Sequence, residues 1–259
     1  MKKFSLFTAF IFFSIVLVKA QEYDILIKNG HVIDQKNQIN EVVDIAITGK
    51  KIAKVAVGID PNTAKKTIDA SGLIVTPGLI DIHGHHFFGT VPHRYLSNSF
   101  SALPPDGFTF RAGVTTVADA GGAGWRNFRL FKEQVIDQSA TRVLAFINIL
   151  GDGMSGVVPN EQDQGDMNAK MTAMVAGQFP EIIGVKIAHY RGNEWEPYQK
   201  AAEAGKIANI PVMVDLGGAD PALPLDKTGT QKLEAELTLR AGRIVWDLNG
   251  LGSKAWNGK

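Results

Sequence analysis

Cysteine is absent from the 259-residue chain. That excludes disulfides, thiolate metal ligands and a lipid-modified cysteine. No block of lysine or arginine stands out, and with a formal net charge of +1 there is no electrostatic footprint for nucleic acid. Internal repeats and low-complexity tracts are missing too. The mainly apolar run from Phe4 to Val18 counts 15 residues, short of the ~20 that a membrane span needs. What remains is ordinary globular material, 45% hydrophobic, with enough apolar side chain for a sizeable core.

The apolar run has its own meaning. Lys2 and Lys3 precede it, and "VKA" puts small residues at the −3 and −1 positions before Gln21. This is the pattern of a secretory signal peptide, residues 1–20, cleaved after Ala20. A membrane anchor is the alternative, and the run is too short to favour it. Cleavage would remove three lysines and leave 24 basic against 26 acidic residues. The expectation is an exported protein, periplasmic or secreted, with no stable membrane anchor.

Beyond the leader, residues 22–75 read as short strands. In "YDILIKNGHVID" the pair Asn29-Gly30 lies between two apolar runs and predicts a hairpin. "VVDIAITGKKIAKVAVG" predicts another, with Gly49 at the bend, so the segment reads as a small antiparallel sheet. From Pro77 the rhythm changes. "GLIDIH", "GVTTVAD", "TRVLAFINIL", "IIGVKIAHY" and "IPVMVDLG" are strand-like runs, and helix-like stretches such as "NFRLFKEQVIDQ" and "EPYQKAAEAGKIAN" lie between several of them. Apolar strands alternating with helices predict βαβ units and a parallel sheet over 76–226. Between His86 and Arg111 lies a loop long enough to suggest function. Residues 228–259 return to alternation, with Leu233, Ala235, Leu237 and Leu239 on one face and a turn at Ala241-Gly242. The fold class expected is α/β: an incomplete (β/α)8 barrel of about five units, plus a small β-sandwich built from both terminal segments.

Histidine is scarce and unevenly placed. His83 and His85 share one face of a strand by its period of two, whereas His86 points to the other. At the C-terminal end of a barrel's first strand, such a pair aims two imidazoles into the mouth where active sites sit. Alone, the pair reads equally well as two partly exposed loop histidines. Lys186, in the middle of the apolar run "IIGVKIAH", sharpens the choice, because a buried ammonium is costly. Either its head reaches the barrel rim, or burial leaves a reactive neutral amine. Gly184 and Ala188, its same-face neighbours, are small and leave room for it. His189 and Arg191 follow at the same mouth. Arg191 reads either as a clamp for a substrate carboxylate or as a surface ion-pair partner, and Asp119 as a support behind the ligands. "DAGGAGW" lacks phosphate-loop spacing and reads as a tight turn or, second, as a substrate contact. His31, beside the expected first turn, reads as exposed.

With "DILIKNGHVID", "IDASGLIVTPGLIDIHGH", "GVTTVADAG" and "GVKIAHYRG", nearly the whole chain after residue 20 resembles the amidohydrolase superfamily, in its dihydroorotase-like amidohydrolase and deacetylase branch. The resemblance implies a metal-dependent hydrolase that cleaves a C–N bond of a small N-acyl or cyclic amide substrate. It implies two Zn2+ ions, His83 and His85 as ligands of the buried one, and Lys186 as a carbamylated bridge. A metal-bound hydroxide would be the nucleophile, and an aspartate on the eighth strand the general base.

The chain departs from that pattern. Its histidines are His31, His83, His85, His86, His93 and His189, so the two ligands expected from later strands are missing. The remaining candidate aspartates are Asp215, Asp220, Asp226 and Asp247. Five strand runs end near 216, the closing hairpin begins near 231, and three further units of about 30 residues each cannot fit between them. Fifth-strand sequence thus runs directly into the closing hairpin, which reads as an internal deletion of the last three βα units. One Zn2+ or none is expected to bind, Lys186 is expected to be unmodified, and the first and fifth strands are expected to present open edges. A catalytically inactive remnant, or a binding module, is the rival expectation.

Overall fold

A computed structural model describes residues 21–89, 97–98, 100–155, 161–215 and 235–254. The signal-peptide segment, His93, Asp220, Asp226 and Leu233 lie outside the described residues. No helix among those described is long and apolar enough to cross a membrane.

The first layer is a five-stranded sheet of β1 (Tyr23–Asp34), β2 (Ile39–Thr48), β3 (Lys51–Ala56), β4 (Ala64–Asp69) and β5 (Ile74–Val75). Two expectations are corrected here. Asn29-Gly30 does not turn the chain: β1 runs straight through it, and the register with β2 shifts between Ile27 and Gly30. The left-handed backbone of Asn29 (φ 62°) serves a bulge instead of a hairpin. Asp44 on the facing strand accepts the Asn29 N–H at 3.0 Å, and a Cβ on Gly30 would stand 2.5 Å from Val75 Cγ2. Nor is the sheet purely antiparallel, because β4 and β5 both pair with β1 in parallel. The bend at Gly49 (φ 58°) is as expected.

The second sheet is parallel throughout. Its strands are β6 (Leu79–Gly84), β9 (Val114–Gly124), β10 (Arg142–Asn148), β11 (Ile182–Ala188) and β12 (Val212–Asp215), side by side in chain order. A two-residue-per-strand hairpin, β7 (Ser97–Asn98) with β8 (Phe100–Ser101), lies in the long loop after β6. Helices α1 (Phe128–Phe131, prolonged by a π turn to Ile136), α2 (Ala169–Ala176) and α3 (Glu196–Ala208) follow β9, β10 and β11. Asn168 caps α2 by accepting from the Met171 N–H. Pro197 in its first turn and left-handed Asn209 past its end bound α3. Between sheet and helices lies a core that includes Phe87, Phe128, Phe131, Ile147, Val185, Ile187 and Ala201. The five strands curl into half of a barrel, as the alternation of apolar runs and helices implies.

Its two outer strands are β6 and β12, and among the described residues neither has a partner on its outer side. Strand β6 reads as a core strand yet leaves Leu79 51%, Ile80 63% and Ile82 64% exposed. The hairpin β13 (Leu237–Arg240) and β14 (Arg243–Asp247) turns at left-handed Ala241 and Gly242. It does not extend the first sheet edgewise. Leu237, Leu239 and Ile244 pack instead against a buried cluster that includes Ile25, Ile27, Val43 and Ile68.

Candidate functional site

Parallel strands put their C-terminal ends at one rim, and the side chains singled out by sequence gather there. His83 leaves the end of β6 with its ring half-exposed, and His85 follows, partly buried. Their rings meet edge to face with centroids 5.8 Å apart, so the shared face implied by strand periodicity is real. Burial pulls His85 below the ordinary histidine range. The Asp119 carboxylate opposes the shift, while His83, Lys186 and His86 add to it. A neutral imidazole is the form that ligates metal. His86 turns the other way. It is 1% exposed, its ring stacks on Phe108, and Nδ1 lies 3.1 Å from the Leu103 carbonyl oxygen.

Lys186 is completely buried on β11. Its head lies buried just beneath the rim, with Nζ 3.0 Å from Asp215 Oδ2 and 3.5 Å from Met213 Sδ. Asp215 ends β12, where parallel pairing places it opposite Ala188. The same carboxylate oxygen is 3.8 Å from His83 Nε2. Room for the lysine comes from an unexpected residue. A Cβ on Gly184 would strike the Phe146 ring at 2.4 Å, so that glycine accommodates Phe146 instead. It is Gly121 (φ 94°) whose added Cβ would stand 2.7 Å from Lys186 Cγ. The "DAGGAG" stretch is thus neither a turn nor a phosphate loop. It lies inside β9, and its glycines let the backbone pass close to the lysine and to Asp119.

Asp119, fully buried, accepts from the His86 N–H at 2.7 Å and from the Gly122 N–H at 2.6 Å. It fixes the loop that carries His85. Asn148 is buried at the end of the neighbouring strand β10, donating to the Gly121 carbonyl and accepting from the Leu150 N–H. Past Lys186, His189 takes a left-handed backbone (φ 55°) and its N–H donates to the Asp215 carbonyl at 3.2 Å. Its Nδ1 lies 3.0 Å from Oε2 of Glu161, a buried carboxylate that sequence reasoning missed. Burial raises the Glu161 carboxyl above its usual range, against the pull of His189 and Arg191 and with help from Asp215. Arg191 is exposed, and its backbone N–H donates to Gln162 Oε1. His31 is exposed as expected, paired with Asn40.

Among the described residues no three His, Asp or Glu side chains stand close enough together to hold a metal ion as they are. His83 and His85 stand together without a third such side chain close enough among the described residues.

No family model matches the chain. A deacetylase of Agrobacterium fabrum is 31% identical over 188 residues, which are 70% of this chain and 44% of that protein. Among solved structures, an adenine deaminase superposes with a TM-score of 0.63 at 31% identity, covering 77% of this chain and 51% of the other. A dihydroorotase superposes with a TM-score of 0.61 at 28% identity, covering 73% and 50%. The chain spans about half the length of the curated deacetylases it matches. The paired histidines at the end of the first parallel strand, the buried lysine on the fourth and these similarities together place the chain in the amidohydrolase superfamily, in its dihydroorotase-like branch.

Proposed function

We propose that this protein belongs functionally, as well as by descent, to the hydrolases of small-molecule C–N bonds, with an N-acyl or cyclic amide as substrate. The observation that carries the reading is the convergence of His83, His85, Lys186 and Asp215 at the C-terminal rim of a parallel half-barrel. His83 and His85 would hold one Zn2+, which would supply Lewis acidity toward an amide carbonyl and a water of lowered pKa. Lys186 holds the Asp215 carboxylate in place through its Nζ contact. Without two cations beside it a carbamate on Lys186 would have little to stabilise it, so Lys186 is read as an unmodified lysine paired with Asp215. Arg191, exposed at the same rim, is suited to a substrate carboxylate.

Purified protein should carry at most one zinc ion per chain by elemental analysis. His83→Ala should abolish that binding, whereas about two ions per chain surviving dialysis would overturn the single-site reading. Assay with zinc and bicarbonate against N-acetylated amino acids and dihydroorotate-like cyclic amides tests the activity directly. The second reading, a non-catalytic remnant or binding module, draws on the missing third donor among the described residues. It predicts no turnover on any of these substrates. We also propose export: protein recovered from its native host should begin at Gln21, and an intact Met1 in soluble protein would refute it.

A further inference from the structure

We infer that Glu161 and His189 form the proton-transfer pair of this rim, with His189 carrying the proton and Glu161 positioning it. The inference rests on the amidohydrolase reading. Three features build the pair. Glu161 is 4% exposed and its Oε2 lies 3.0 Å from His189 Nδ1. The backbone on either side is clamped, because Gln162 donates from Nε2 to the His189 carbonyl at 2.8 Å and accepts the Arg191 N–H at 2.9 Å. His189 itself is held in a left-handed conformation with its N–H on the carbonyl of Asp215, the residue that pairs with Lys186. A strained, over-determined histidine beside a buried carboxylate is the arrangement that fixes a tautomer.

A carboxylate accepting from Nδ1–H leaves the ring's lone pair on Nε2. That nitrogen takes a proton from the water that attacks the amide carbonyl, and the C–O bond forms. It then returns the proton to the departing nitrogen as the C–N bond breaks, so one water is consumed and an acid and an amine leave. The Glu161 carboxylate 3.0 Å from Nδ1 stabilises the imidazolium formed midway by its charge, against the burial that raises its carboxyl. Asp215, already engaged by Lys186, is less available for this task.

The test uses the full chain with 15N-labelled histidine, zinc and an N-acetylated amino acid. Long-range proton–nitrogen correlation should find His189 protonated on Nδ1 in the wild type and shifted toward Nε2–H in Glu161→Gln. Glu161→Gln should lower kcat by roughly 10²-fold or more with little change in KM. His189→Gln should lose as much, the double variant no more, and Glu161→Asp should recover part of the loss. A wild-type His189 protonated only on Nε2, or full turnover by Glu161→Gln, would overturn the inference. Should wild type show the Nδ1–H tautomer yet hydrolyse no C–N substrate, the amidohydrolase reading fails and the pair stands as a built dyad.

Discussion

Asp44 and Asp119 are both buried carboxylates that accept from backbone amides of distant segments, yet they answer to different constraints. Asp44 takes the Lys28 ammonium at 2.6 Å and the N–H groups of Asn29 and Ile59, so it ties the bulge of β1 to the connection between β3 and β4. Burial pushes its carboxyl up, but Lys28 and the two amides outweigh that and hold it below the usual range. A carboxyl whose folded value lies below the unfolded one, about 3.9, stabilises fully above that pH and ceases to do so as pH falls through the folded value. Asp44→Asn should cost about 3–5 kcal/mol at neutral pH by stranding Lys28, and urea titrations should show a shallower loss of stability in acid. Asp119 instead serves the rim, through His86. His86→Ala should destabilise by roughly 2–5 kcal/mol, the cost of a core cavity, while zinc stoichiometry below the melting temperature stays unchanged. If zinc is lost with His86, the ligand assignment to His83 and His85 is wrong. Gly121→Ala should cost about 1–3 kcal/mol in backbone strain alone and push Lys186 off Asp215, which chemical denaturation and the reactivity of the lysine would report.

Among elements, sequence was most informative where one strand carries its own signal. His83 and His85 are two apart on β6, so periodicity alone puts them on one face, and Lys186 announces itself as a charge within an apolar strand. Glu161 had no such signal, because its partner lies 28 residues on and no short-range pattern links a loop glutamate to a strand-end histidine. Asn29-Gly30 misled for a physical reason. The left-handed backbone that a hairpin needs is the one a bulge needs, and only the facing strand with Asp44 decides between them. Gly121 was illegible as the lysine's neighbour because proximity across β9 and β11 depends on curl, not on spacing. The open edge of β6 makes its own prediction. Ile80→Lys with Ile82→Lys should reduce concentration-dependent light scattering while moving stability by only about 0.5 kcal/mol per site, the range for surface changes. Unchanged scattering would mean that edge is not what associates.

At the scale of the whole molecule, five strands were legible from five apolar runs, and so was the shortage of chain for three more. Only residues 216–234 separate β12 from the described approach to the closing hairpin. Restoring three βα units by engineering should raise kcat/KM above that of the present chain, through donors for a second ion and not through an acid or base, which Glu161 and His189 already supply. Equal rates would show that the half-barrel already holds its full machinery. The hairpin of β13 and β14 carries a temporal consequence as well. Leu237 and Ile244 complete a cluster whose other members, such as Ile25 and Ile27, lie more than 200 residues earlier. A ribosome releases the first layer long before the strands that cover it exist, and closing so long a loop is slow. The parallel sheet, built from neighbours in sequence, is free to consolidate while the first layer still waits for its cover. In refolding followed by tryptophan fluorescence, Trp246 on β14 should therefore report a later phase than Trp125, next to α1.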